Sequence, residues 1–286
     1  MDLPNALFGQ GQGHNDEVRQ MVEALPPGSN EYDAEGLKAE DLEELLQQTP
    51  LFTYTDSEGQ QHDSDRYTVF KNVAPDTIHS FSNQRHLGRI KDLASHCLII
   101  IMPSRDHESA TRYFDTLIEG KLNEMRARLF FKLRACGSAE VQGTTRKKAP
   151  DASYRPRTLP ATRSAKWPSL VLEVGYSESA TKLRSDASWW LTESQGEVRA
   201  VVTLKIFRKH RVHLEVWQFR DGATRPRPVE TQEATVTKSA RGYSASGTIV
   251  IRFQDLFLRP AAGNGERDIV LNHADLEELV ELALKD

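Results

Sequence analysis

Cysteine is nearly absent. Cys97 and Cys136 are the only two in 286 residues, which excludes a disulfide framework and fits a reducing compartment. Neither has metal-ligand spacing, and both lie in apolar contexts, so both are expected to be buried thiols. No run of about 18 apolar residues occurs, so no transmembrane helix is expected. The opening Met1-Asp-Leu-Pro-Asn lacks the basic flank and apolar core of a secretory signal. Together these absences point to an intracellular protein, cytoplasmic or nuclear, with no membrane partner. No internal repeat is present, which argues against a solenoid.

Basic residues are scarce at the front. Residues 1–65 hold 15 Asp/Glu against 2 Lys/Arg, while the rest hold 26 against 35. The net charge of -4 therefore hides an acidic segment and a basic body. That balance suits a polyanion-binding surface as well as it suits a soluble domain with an acidic tail. Acids are scarce in turn over 143–166, where Asp151 stands alone among Arg146, Lys147, Lys148, Arg155, Arg157, Arg163 and Lys166.

Periodicity places the elements. Leu42, Leu45 and Leu46 share one face of a helix over 39–48, and a short helix over 16–25 is compatible with the pattern. Gly9 to Gly13 has phosphate-loop composition, but no strand precedes it and no Gly-Lys-Ser follows. Residues 87–94 read as a short helix or strand. Cys97–Met102 reads as a strand, and Ser104 as the N-cap of a long helix from 105 to about 133. Tyr113, Leu117, Leu122, Met125, Leu129 and Phe130 give that helix an apolar side. Residues 143–166 read as a basic loop. Leu170–Val174 reads as a buried strand, followed by a helix capped by Ser177 or Ser179 and running to about Thr192. Two β-rich runs, 198–207 and 212–219, form a hairpin. A second hairpin is expected from 233–238 and 248–253, and a final helix over 274–285. The order predicts an α/β (α+β) fold with a mixed central sheet.

One residue is out of place in this pattern. Glu173 puts a carboxylate inside an apolar strand, and a buried carboxylate is normally paired or metal-bound. Asp151 follows Pro150, 22 residues upstream, a spacing that suits neighbouring strands. Two such carboxylates supply hard oxygen ligands for Mg²⁺ or Mn²⁺, and a nearby lysine can orient the attacking water in phosphodiester hydrolysis. Glu173 and Gly175 face the same side of their strand.

Pro150-Asp151 and Leu170-Val-Leu-Glu-Val174 resemble the core signature of the PD-(D/E)XK nuclease superfamily. Pro103-Ser-Arg-Asp-His-Glu108, Lys182-Leu183 and the pair Trp189-Trp190 make the chain similar to its large, poorly characterised restriction-endonuclease branch. The Trp-Pro-x-Leu-Val-Leu-Glu-Val-Gly block also resembles uncharacterised fungal proteins. The likeness covers about residues 98–206. It implies a restriction-endonuclease-like domain over 66–286, with its core at about 98–219. An acidic, partly flexible extension over 1–65 and a C-terminal hairpin would be additions. It also implies Asp151 and Glu173 as metal ligands, with Glu108 assisting through water. The motif's lysine is missing, because Gly175 stands in its place. Lys182 on the following helix is the first candidate to supply it, and Lys205 on the next strand the second. Arg146, Lys147, Lys148, Arg155 and Arg157 would contact backbone phosphates, with DNA the expected substrate. Homodimerisation occurs among such nucleases, and no residue here fixes it. The opposing reading is a catalytically silent nuclease fold that binds nucleic acid or a protein.

Overall fold

The computed structural model describes residues 18–26, 28–49, 53–55, 61–82, 89–94, 96–125, 128–144, 146–176, 180–207, 211–220, 227–263 and 265–285. The glycines at 9–13, the cap candidates Ser177 and Ser179, and the turn at 208–210 lie outside these residues. Among the described residues, no helix is long and apolar enough to cross a membrane. The chain forms two compact units.

Every residue of the strand Leu170–Gly175 is buried, so the strand needs a layer on each face. Alternation divides its side chains between them. Leu170, Leu172 and Val174 join a core with Ala110, Phe114, Ile118 and Leu122 of the helix Arg105–Asn123. Leu276, Leu279 and Val280 of the helix His273–Leu284 close the same core. Val171 faces the other way, among Ala187, Trp189, Trp190 and Leu191 of the helix Ala180–Glu193.

This strand lies inside a seven-stranded sheet. The order across the sheet is Gly242–Gly247, Pro228–Ser239, Arg211–Phe219, Ala200–Phe207, Leu170–Gly175, Ala152–Pro156 and Leu133–Ala135. Only Leu170–Gly175 and Ala200–Phe207 run parallel. Parallel neighbours require a crossover, which the helix Ala180–Glu193 supplies. All other neighbours in the sheet are antiparallel. The result is the mixed sheet flanked by helices that the element order predicts.

The other unit comprises residues 1–51, 66–102 and 142–148. The strands Asn30–Asp33, Arg66–Lys71, Cys97–Met102, Arg89–Ala94 and Arg146–Lys148 are neighbours in that order. Leu42 and Leu46 of the helix Ala39–Gln48 cover one sheet face through Phe70, Leu98 and Ile100. Met21 and Leu25 cover the other through Val69, Ile99 and Ile101. The division of the chain therefore differs from a single cut after residue 65. The strand Asn30–Asp33 pairs with Arg66–Lys71, so part of the acidic segment belongs to a sheet.

Three further expectations change. The long helix stops at Asn123 rather than near 133. Arg128 adopts a left-handed conformation at φ 51°, and Leu129–Lys132 forms a separate 3₁₀ turn. The expected second hairpin is re-paired: Pro228–Ser239 pairs with Gly242–Gly247, and Ile249–Ile251 pairs with Ile269–Leu271. Gly247 explains the break. Its φ is +85°, and a Cβ there would lie 2.6 Å from the Glu233 carbonyl oxygen. Finally, the basic stretch 143–166 contains two strands, Arg146–Lys148 and Ala152–Pro156.

Candidate functional site

Asp151 precedes the strand Ala152–Pro156. Its backbone N–H donates to the Leu172 carbonyl at 3.2 Å, and its Oδ2 accepts the Val174 N–H at 2.8 Å. Its Oδ1 lies 3.1 Å from His107 Nε2. The other imidazole nitrogen, His107 Nδ1, lies 2.8 Å from Asp65 Oδ2. Asp65 in turn accepts the N–H of Ser104 at 2.8 Å and of Tyr176 at 3.1 Å. The result is a carboxylate–imidazole–carboxylate line with all three side chains buried.

Local sequence explains how His107 arrives there. Ser104 is the N-cap, and its hydroxyl accepts the His107 N–H at 3.2 Å. This starts the helix so that positions 107, 110, 114, 118 and 122 form its buried stripe. Burial alone would depress the imidazolium, but the charges of Asp65 and Asp151 outweigh it, and His107 is pushed up to about 10. Burial raises Asp65, yet the His107 charge and the hydrogen bonds from His107, Ser104 and Tyr176 leave it below its ordinary value. His107 is therefore held protonated at neutral pH, between the Asp65 and Asp151 carboxyl groups.

Glu173 faces the helix Ala180–Glu193. It is completely buried, and its Oε1 accepts the Trp190 indole N–H at 2.5 Å. Lys182 and Asp186, both about 1% exposed, form an ion pair at 2.5 Å on the same helix. Residues 182, 186 and 190 are spaced i, i+4 and i+8, so they share the helix face turned to the sheet. Trp189 and Trp190 pack edge-on to each other and to Trp167. This pair is core.

Sheet register adds what the linear motif lacks. Ala152 pairs with Leu172 and Ser153 with Val171, which carries Asp151 to the level of Glu173. Gly175 pairs with Lys205 on the parallel neighbour. Glu173, Thr203 and Glu215 form one row across three strands, and Gly175, Lys205 and His213 form the next. A lysine thus stands beside the position where the motif along the strand has glycine.

The structure separates other members of the predicted set. Glu108 is exposed in the first helical turn, whereas its neighbour His107 points inward. Arg146 and Lys148 are buried and lie 3.6 Å and 3.2 Å from Asp92 in their own sheet. Their burial removes them from the surface that was to contact phosphate. Lys147 and Arg155 are half-buried and Arg157 is exposed. Arg155 donates to the Ala165 carbonyl. Cys97 is buried as expected, and burial pushes its thiol up to about 11; Cys136 is only partly buried.

Among the described residues, no group of three or more His, Cys, Asp or Glu is arranged to hold a metal ion. Two carboxylates are still a donor set of the right kind. Mg²⁺ binds through one or two carboxylates and keeps several waters.

No protein-family model and no curated protein matches the chain. Among solved structures, one from Anabaena variabilis, described as "a putative nuclease belonging to DUF820", is similar at 11% sequence identity and a TM-score of 0.34. The match covers 63% of this chain and 84% of that one. A likeness at this level carries no argument about chemistry. The fold stands on the chain's own topology, a mixed α/β arrangement with helices on both faces of a mixed sheet.

Proposed function

We propose that the unit containing Asp151 and Glu173 is a metal-dependent nuclease that hydrolyses phosphodiester bonds, with DNA as the expected substrate. The observation that carries this reading is the register: Asp151 is level with Glu173, and Lys205 is level with Gly175. Asp151 and Glu173 would hold Mg²⁺ or Mn²⁺. A bound cation of this kind supplies Lewis acidity and lowers the pKa of a coordinated water. The protein's part is to fix the two carboxylates. His107 and the Val174 N–H orient Asp151, and Trp190 orients Glu173. Lys205 replaces Lys182 as the residue that orients the attacking water, because Lys182 is committed to Asp186 in the buried layer.

The test is cleavage of plasmid and single-stranded DNA and RNA with Mg²⁺ or Mn²⁺. Wild type is compared with Asp151→Asn, Glu173→Gln and Lys205→Gln. Loss of metal-dependent cleavage in all three supports the assignment, and cleavage that persists in both carboxylate variants refutes it. Two observations favour a silent nuclease fold: both carboxylates already have protein donors in a buried setting, and those donors come from different helices, His107 for Asp151 and Trp190 for Glu173. Folded wild-type protein that binds DNA and cuts nothing with either metal would establish that reading.

A further inference from the structure

The strand Arg211–Phe219 carries chemistry that the carboxylate pair does not use. With Ala200–Phe207 and the start of the helix Ala180–Glu193 it lines a cleft of about 330 Å³, on the sheet face that Glu173 occupies. Arg184, Lys205 and Arg211 bring three fixed positive charges to its lining, and Glu215 brings one negative charge.

Glu215 is turned inward and saturated. Its Oε1 lies 3.1 Å from Arg184 Nη2 and 3.4 Å from His213 Nε2. Its Oε2 accepts the Trp217 indole N–H at 3.1 Å and the Thr203 hydroxyl at 3.3 Å. Only 8% of its side chain is exposed. Glu215 therefore anchors Arg184 and His213 at the wall rather than opposing an anion in the cleft. His213 Nδ1 is fixed separately, 3.0 Å from the Thr235 hydroxyl. Glu233 stands at the rim, 3.9 Å from His213 and mostly exposed.

Phe207 does similar work on the other side. The Arg211 guanidinium lies 4.2 Å from its ring centroid and the Lys205 ammonium 5.0 Å. A guanidinium held over a ring keeps its edge N–H groups for a further acceptor, the geometry that suits a phosphate. Arg184 keeps just over half its side chain exposed. Two arginines, one held through Glu215 and the other over Phe207, thus flank the lysine that is level with Gly175.

We propose that this cleft seats a backbone phosphate of a nucleic acid strand, with Arg211 and Arg184 as its ligands and Glu215 as the residue that positions Arg184. The proposal rests on the nuclease reading and supplies the substrate contacts that the buried Arg146 and Lys148 do not. Binding can be measured without cleavage. The full chain in EDTA is titrated against fluorescein-labelled single-stranded and duplex 20-mers at several salt concentrations, by fluorescence polarisation. Each exposed arginine variant, Arg211→Gln and Arg184→Gln, is expected to weaken binding about tenfold at low salt, as the loss of a charge-assisted contact implies. Each should also reduce the salt slope by about one. The rim variant Glu233→Gln should bind no more weakly than wild type. Unchanged affinity and salt slope in both arginine variants would overturn the proposal. So would inorganic phosphate raising the melting temperature through these arginines while neither oligonucleotide binds, since the site would then take free phosphate. Arginine-dependent binding without metal-dependent cleavage would refute the nuclease reading alone. Cleavage indifferent to both arginines would refute this site alone.

Discussion

Replacing His107 with glutamine tests the buried line in which Asp151 is held. In the folded protein the neighbouring carboxylates push His107 up to about 10, whereas an exposed histidine titrates near 6.5. Between those values the folded chain holds a proton that the unfolded chain has released. Stability from this group is therefore complete below about pH 6.5 and declines as pH rises toward 10. The gap corresponds to about 4–5 kcal/mol of pH-linked stability, close to the ~3–5 kcal/mol expected when one partner of a buried ion pair is removed. Urea unfolding in EDTA, followed by tryptophan fluorescence, is a direct assay. All four tryptophans, Trp167, Trp189, Trp190 and Trp217, belong to the same unit as His107. At pH 6.5, His107→Gln should be less stable than wild type by ~3–5 kcal/mol, and the difference should narrow steadily toward pH 10. Comparing the two proteins at each pH cancels the titration of Cys97 and the other groups they share. A difference that stays constant over pH 6.5–10, or a variant as stable as wild type at pH 6.5, would refute the claim that His107 is a cation bracketed by two carboxylates.

Trp190→Phe removes the indole N–H that Glu173 accepts, and should cost ~1–3 kcal/mol for the donor lost to a buried acceptor, on top of lost packing. In a double-mutant cycle read by urea unfolding, Glu173→Gln should recover part of that cost, and strict additivity would show that the two do not interact. Lys182→Met removes the lysine that pairs with the buried Asp186 carboxylate and should cost ~3–5 kcal/mol, while Lys182→Met with Asp186→Leu should regain most of it. Thermal melts that do not distinguish the single variant from wild type would refute the buried pair.

Much of the scaffold was legible because it is written in local periods. The strand Leu170–Gly175 announced itself as an apolar run, and the helix Ala39–Gln48 through leucines three and four apart. The hairpin of Ala200–Phe207 and Arg211–Phe219 showed in its β-rich runs, and the helix Arg105–Asn123 in its cap at Ser104. The far end of that helix misled because Leu129 and Phe130 extended the apolar count past a break. The extension also shifted the inferred face, from the true stripe of Ala110, Phe114 and Ile118 toward Tyr113 and Leu117. His107 lies on the true stripe, and a histidine on a helix's buried face was the available signal for it. Asp65 offered none, since its 42 residues of separation from His107 follow no periodic rule. Arg146 and Lys148 read as a basic loop because charge alone does not tell a solvated lysine from one paired with Asp92 inside a sheet.

Gly175 illustrates the same limit at the proposed site. A motif counted along one strand registers only residues two apart on one face, so a glycine two places after Glu173 reads as a missing lysine. A sheet also counts across its strands. In the parallel pair of Leu170–Gly175 and Ala200–Phe207, Gly175 is level with Lys205, although a whole helix separates them in the chain. That register follows from how the helix Ala180–Glu193 packs back through Ala187, Trp190 and Leu191, and no short sequence window contains it. The glycine is therefore weak grounds for inferring an inactive fold. A chain that loses a basic side chain from one strand keeps positive charge at the same level if its neighbour supplies it, and Lys205, flanked by Arg184 and Arg211, is placed to do so. Lys205→Gln consequently weighs more in deciding activity than restoring lysine at position 175. The restored side chain would project from a strand buried along its whole length, beside a lysine already present.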